Sequence, residues 1–139
     1  MSSGDDFGMV QERRHMVEEQ LMTRGIQNPR VLEAMLSIPR HQFLDSESWS
    51  NAYGDHPLAI GSEQTISQPY VVAWMSELLS HLPVGSKVLE IGTGCGYQTA
   101  ILVALGYEVY SVERISKLAG KARETLEKLD SLPVELHIG

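Results

Sequence analysis

The 139-residue sequence predicts an α/β fold in which a short parallel β-sheet follows a region of helices and loops. From residue 83 onward, strand-like and helix-like runs alternate, which is the pattern of parallel βαβ units with right-handed crossovers. Before that point, apolar residues recur at helical spacing between loop-like stretches. We therefore expect a flexible tail over residues 1–8, a helical and loop region over residues 9–82, and a βαβ region over residues 83–139.

The helical and loop region contains three expected helices and one long loop. Apolar stripes predict the helices over residues 9–24, 29–38 and 69–81. Asn28 and Pro29 supply the N-cap and first turn of the second helix, which Pro39 ends. Residues 40–68 read as loop by composition, and a connection of this length inside a compact domain is often functional.

The βαβ region is predicted from a regular succession of short elements. We expect strands over residues 87–91, 107–112 and 134–138, with helices over residues 97–105 and 115–129. The first strand, KVLEI, reads as buried. A glycine-rich turn leads from it directly into a helix.

Charge and composition exclude several classes of function. The 11 basic and 18 acidic residues give a net charge of −7, which argues against nucleic-acid or anionic membrane partners, since both need clustered Lys and Arg. The single cysteine, Cys95, allows no intramolecular disulfide and favours a reducing, cytoplasmic compartment. The longest apolar run, residues 100–105, is too short to span a bilayer. The five histidines show no metal-ligand spacing, so we expect no metal.

The glycine-rich turn, G-T-G-C-G, predicts a cofactor loop. Glycines let a ligand approach the main chain closely, and N–H groups at the following helix start favour a carboxylate or phosphate. A dinucleotide loop requires a third glycine five residues after the first, where this sequence has Tyr97, so an NAD-dependent oxidoreductase is the weaker interpretation. The observed spacing better fits S-adenosylmethionine (SAM), which has no pyrophosphate and carries an ammonium beside its carboxylate.

Two acidic residues accompany this loop. Glu90, in the first strand, can attract the ammonium and the sulfonium of SAM. Glu113, at the end of the next strand, can accept hydrogen bonds from both ribose hydroxyls. Each feature alone also fits a plain tight turn with a capping or solvated acid. Together they predict a site for a nucleoside cofactor.

The segment VLEIGTGCGYQTAIL resembles the SAM-binding motif of the protein-L-isoaspartate O-methyltransferases. Three upstream segments, VLEAMLSIPRHQF, AYGDHPLAIG and QTISQPYVVAWM, are similar to the N-terminal region of the same family, and VYSVER fits downstream. The glycine motif alone indicates only the methyltransferase superfamily, and the upstream segments narrow the resemblance to this family. Glu63 and Cys95 depart from the pattern, since many members have glycine and serine there.

The resemblance implies a Rossmann-like SAM-dependent methyltransferase fold. It also implies methyl transfer from SAM to the α-carboxylate of isoaspartyl residues, with damaged proteins and peptides as partners. The implied cofactor-binding residues are Thr65, Ile66, Ser67, Glu90, Gly92, Thr93, Gly94, Gly96 and Glu113. Ser67 is the implied active-site residue.

Ser67 has a second interpretation, because it lies just before the predicted start of a helix at Pro69. Serine in such a position is often a helix cap. Alternatively, its hydroxyl orients the acceptor carboxylate, which is already ionised at neutral pH and needs no strong base.

The family continues beyond the position of Gly139 with an aspartate and further strands. The resemblance therefore implies that this chain is the N-terminal portion of a methyltransferase, truncated after the third strand, with an unpaired apolar edge on the first strand. The full-length enzyme is expected to be a monomer. The alternative function is a catalytically incomplete module that binds a partner, or itself, through that edge.

Overall fold

The structure, a computed structural model, describes residues 7–139. The tail expected over residues 1–8 lies outside the described residues, apart from Phe7 and Gly8, with which the first helix begins. Its helices are α1 (Phe7–Met16), α2 (Pro29–Ser37), α3 (Pro69–Leu78), α4 (Tyr97–Ala104) and α5 (Ser116–Lys128). Its strands are β1 (Leu58–Gly61), β2 (Gln64–Ile66), β3 (Lys87–Ile91), β4 (Glu108–Glu113) and β5 (Glu135–Ile138).

The first two helices lie close to their predicted bounds, although α1 begins at Phe7, two residues before the predicted start. Helix α1 continues through a π-helical turn and a 3₁₀ turn as far as Arg24, and Gly25 ends it with φ at 95°. The Asn28 side chain accepts hydrogen bonds from the N–H groups of Arg30 and Val31 at the start of α2. The predicted N-cap is therefore confirmed.

Residues 40–68 contain more regular structure than predicted. They form two 3₁₀ turns, Arg40–Phe43 and Ser46–Asn51, and an antiparallel hairpin of β1 and β2. The hairpin turn places Ser62 and Glu63 at φ values of 51° and 59°, as at the centre of a type I′ turn. The usual sequence signal for that turn is Asn-Gly, and its absence is why the hairpin was missed.

Strands β3, β4 and β5 form a parallel sheet in that spatial order, which confirms the predicted α/β arrangement. One face is covered by α4 and α5 and carries the buried side chains of Glu90, Ser111 and Leu136, which lie side by side. On the other face, Leu89 and Ile91 are 65% and 76% exposed. The prediction that β3 is a buried strand is therefore wrong. In the described part of the chain β3 is an edge strand with one covered face.

One continuous hydrophobic core joins the N-terminal helices to the sheet. It includes Met35 of α2 together with Ile101 of α4 and Val109 of β4. The Tyr97 hydroxyl lies 3.8 Å from the Met35 sulfur across this contact. Because the core is shared, the segment before α3 is held against the loop after β3. No helix among residues 7–139 has the length and hydrophobicity needed to cross a bilayer.

Candidate functional site

The loop after β3 needs its glycines for two different reasons. Gly92 and Gly96 have φ values of 92° and 96°, which L side chains rarely adopt. A Cβ at Gly92 would meet nothing within 4 Å, so the main chain there faces open space. A Cβ at Gly96 would lie 3.2 Å from two side-chain carbons of Leu126, so the loop packs tightly against α5. The loop is thus anchored at its end and accessible at its start.

The carboxylate of Glu113 binds the middle of this loop. The Gly94 N–H donates to its Oε1 at 2.8 Å, and the Ile115 N–H donates to its Oε2 at 3.0 Å. The side chain is buried and lies behind the loop. The residue expected to bind ribose is therefore engaged with the main chain of the loop in this structure.

Glu90 supports the loop from the covered face of the sheet. Its Oε1 accepts hydrogen bonds from the hydroxyls of Thr99 and Ser111, the latter at 2.6 Å, and Ser111 in turn contacts the Thr93 hydroxyl at 2.5 Å. Burial raises the pKa of Glu90, while the hydrogen bonds from Ser111 and Thr99 oppose that rise. An acid with a raised pKa beside a loop of exposed main chain is typical of a functional site.

Ser67 lies between β2 and α3 with its side chain exposed. The cap residue of α3 is Gln68, and the helix has no side-chain cap. The Ser67 hydroxyl makes no hydrogen bond with the described residues, and only its carbonyl is engaged, by Arg40 at 3.0 Å. The capping interpretation is therefore wrong for this structure.

The side chain of Gln68 is held away from the helix start. Its amide nitrogen donates to Asp55 at 2.8 Å, and Asp55 is paired with the guanidinium of Arg24. The hydrogen bond from Arg24 and then that from Gln68 hold the pKa of the Asp55 carboxyl well below its usual range. These contacts attach the segment around Ser67 to the loop before β1.

Two pockets with shared walls bring most of the predicted site residues together. A small pocket of about 80 Å³ has walls from Thr65, Ile66, Ser67, Val72, Gly92, Thr93, Gly94, Cys95, Tyr97 and Gln98. A large pocket of about 430 Å³ lies between α3 and β3, and Glu90 lines it. Ser67, Gly92 and Gln98 line both pockets. Of the predicted residues, Gly96 and Glu113 are the two that line neither pocket. Gly96 is packed against α5, and Glu113 is buried with its carboxylate bound to the main chain of the loop.

The sequence interpretation missed Gln98, which lies in the first turn of α4. Its amide nitrogen donates to the buried Ser76 hydroxyl at 2.9 Å, which fixes the side chain at the junction of the two pockets. One sequence feature could have identified Gln98: it is a polar residue in the first helical turn after a glycine loop. Side chains in that position can contact a ligand bound at the helix start.

The remaining side chains at the site indicate neither a reactive thiol nor a metal centre. Burial raises the pKa of the Cys95 thiol to about 11, so the thiol is protonated at neutral pH. Within residues 7–139 no group of three His, Cys, Asp or Glu side chains is placed to hold a metal ion.

Comparison with known proteins shows the family to which the chain belongs. The family model for protein-L-isoaspartate(D-aspartate) O-methyltransferase matches residues 11–139. The chain belongs to this family. Methyltransferases of the family from Geobacter metallireducens and Syntrophus aciditrophicus are 54% and 52% identical to it over 126 and 128 residues. These matches cover 91% and 92% of this chain and 58% of each relative, so the chain spans a little over half the length of these relatives.

Solved structures of the same family share the fold. One protein-L-isoaspartate O-methyltransferase superimposes with a TM-score of 0.77 at 30% identity, over 91% of this chain and 41% of that protein. A Plasmodium falciparum protein described as a family member, solved with S-adenosyl-L-homocysteine (SAH), superimposes with a TM-score of 0.74 at 24% identity, over 91% of this chain and 62% of its own. The predicted Rossmann-like methyltransferase fold is thereby confirmed.

Proposed function

We propose that the protein transfers the methyl group of SAM to the carboxylate of L-isoaspartyl residues in damaged proteins. One observation carries this proposal: Ser67 and Gly92 line both pockets, so the acceptor-side segment and the glycine loop border the same two adjacent pockets. Methyl transfer requires that arrangement, because donor and acceptor must meet in line with water excluded.

The residues on the walls fit SAM, which supplies an electrophilic methyl group when bound. The large pocket is within the usual size range of ligand pockets. Gly92 presents open main chain, and the carboxyl group of Glu90, which lines the large pocket, offers oxygens to the ammonium of the ligand. Glu113 lines neither pocket, so its proposed contribution to SAM binding is to hold the loop through the N–H groups of Gly94 and Ile115.

Ser67 is the proposed catalytic residue. Its hydroxyl donates a hydrogen bond to the acceptor carboxylate and holds one oxygen toward the donor. No proton has to be removed from the acceptor, because a carboxylate is ionised at neutral pH.

The proposed partners are isoaspartyl-containing proteins and peptides in the cytoplasm. The net charge of −7 disfavours nucleic acid, and the single cysteine suits a reducing compartment. For the whole protein we propose a monomer.

Two measurements test the function. Isothermal titration with SAH is expected to show one binding site. Transfer of labelled methyl from SAM is expected to an isoaspartyl peptide and not to the same peptide containing ordinary aspartate, which is the matched control. The absence of SAH binding contradicts the cofactor assignment, and equal labelling of the two peptides contradicts the acceptor assignment.

A second candidate function is self-association through β3. Among the described residues one edge of this strand is unpaired, and Leu89 and Ile91 are exposed on the uncovered face beside that edge. A second copy of the chain would cover them. Size-exclusion chromatography with light scattering tests self-association. Under this second candidate, we expect the wild type to form a dimer that Leu89→Lys abolishes. A wild-type protein that is monomeric at all concentrations contradicts self-association.

A further inference from the structure

Arg40 lies where the sequence segments that carry the family resemblance meet. The residue itself is in PRHQF, and its Nε donates to the Ala52 carbonyl of AYGDHPLAIG at 2.6 Å. Its Nη1 donates to the Ser67 carbonyl of QTISQPY at 3.0 Å. Its guanidinium carbon lies 5.1 Å from the ring centroid of Tyr97, the first residue of α4 after the glycine loop. We propose that Arg40 is a positioning residue that sets Ser67 in register with the glycine loop.

This inference rests on the proposed methyl transfer, because it assigns Arg40 a role in aligning the two reactants. Arg40 lines neither pocket, so it acts through the Ser67 main chain rather than on a ligand. Since a misplacement of about 1 Å can cost about 100-fold in rate, a change in the Ser67 main chain should affect turnover more than cofactor binding.

The surroundings of Arg40 lower the stability of the folded protein, which is unexpected if stabilising the fold is its only role. The side chain is completely buried, and no carboxylate of residues 7–139 lies within ion-pair distance of it. Its Nη2 has no hydrogen-bond partner among those residues. A buried cation without a carboxylate partner lowers stability unless other contacts offset it. Residues that lower stability locally are expected at functional sites, where activity requires a particular geometry.

Arg13 provides a matched control. It is also buried, donates from Nε to the Leu36 carbonyl at 2.6 Å and from Nη1 to the Tyr53 hydroxyl at 3.0 Å, and lies over the Tyr53 ring. Neither Leu36 nor Tyr53 lines the two pockets at the site. Arg→Lys at each position keeps the charge and loses the planar fork that makes two fixed hydrogen bonds.

The kinetic test compares Arg40→Lys with Arg13→Lys by steady-state methyl transfer to an isoaspartyl peptide. For Arg40→Lys we expect kcat to fall about 10- to 100-fold with KM for SAM changed less than about 3-fold. For Arg13→Lys we expect a similar loss of melting temperature and a kcat within about 3-fold of wild type. If kcat falls by the same factor in both variants, and the melting temperature falls by the same amount, Arg40 has only a structural role.

A second test does not depend on activity. Amide hydrogen exchange over residues 64–71 is expected to quicken in Arg40→Lys and to stay at the wild-type rate in Arg13→Lys. Unchanged exchange in Arg40→Lys overturns the inference. If the wild type transfers no methyl group, the proposed function fails and the exchange result still decides whether Arg40 holds Ser67. Should Arg40→Lys not fold, Arg40→Gln removes the buried charge, retains N–H donors, and is expected to show the same faster exchange.

Discussion

The main-chain N–H of Gly94 donates a 2.8 Å hydrogen bond to Oε1 of Glu113, so the loop after β3 is closed by the acid at the end of β4. The two residues come from neighbouring parallel strands, whose carboxyl ends meet at the same edge of the sheet. The second oxygen of Glu113 holds Ile115, just before α5. One side chain therefore holds both the loop after β3 and the segment just before α5.

Replacement of Glu113 by Gln should weaken both stability and binding. The amide turns one acceptor into an NH₂ group that faces a main-chain N–H, so one buried donor loses its partner. We expect the free energy of unfolding to fall by about 1–3 kcal/mol and SAH affinity to fall with it. Urea unfolding and isothermal titration measure the two effects. Glu108→Gln, an exposed change at the opposite end of β4, should alter neither. Wild-type stability in Glu113→Gln contradicts this account.

Ser67→Ala should separate turnover from stability. Its hydroxyl makes no hydrogen bond with the described residues and does not cap α3, so the melting temperature should stay at the wild-type value. Loss of a hydrogen-bond donor at the acceptor should lower kcat about 100-fold. Ser37→Ala, an exposed serine on α2, is the control for both readings. A lower melting temperature with normal turnover would restore the capping interpretation.

Glu90→Gln should change how stability depends on pH. Because burial raises the pKa of Glu90 in the folded state, the protonated side chain is favoured there. The stability that the protonated Glu90 side chain contributes is fully present below its unfolded-state pKa of about 4.3. That stability is lost as pH rises through the higher pKa of the folded state. Gln does not ionise and still offers an acceptor to Thr99 and Ser111. Urea midpoints should therefore shift in favour of the variant as pH rises, while SAH binding weakens. A difference in urea midpoint between the variant and the wild type that stays constant with pH would contradict this prediction.

The Cys95 thiol should react slowly in the folded protein. Its pKa of about 11 lies above the usual value of about 8.5, so the thiolate fraction at neutral pH is reduced. Iodoacetamide labelling followed by mass spectrometry should be much slower in the native protein than in urea, and should accelerate as pH approaches 11. Because the sequence has a single cysteine, the mass shift has one source. Equal rates in the native and unfolded states would show that the thiol is not buried.

Local signals were sufficient for much of the fold. Asn28 and Pro29 predicted the start of α2, and the glycines after β3 predicted a tight turn, because caps and positive φ values depend on residues close in sequence. The β1–β2 hairpin was missed because Ser62 and Glu63 are not the usual residues of its turn. The exposure of β3 was misjudged because an apolar run does not show which of its faces is covered.

By itself, the sequence determined the alternation of strands and helices and the glycine turn after β3, and it predicted a cofactor site there with two acids beside it. These follow from hydrophobic periodicity and from residue types at short spacing. Only the tertiary structure decided that Glu113 turns toward Gly94, that the Ser67 hydroxyl is left without a partner among residues 7–139, and that Arg40 joins Ala52, Ser67 and Tyr97. Such contacts join residues far apart in the chain, and their geometry depends on how the helices pack on the sheet, which no local pattern specifies.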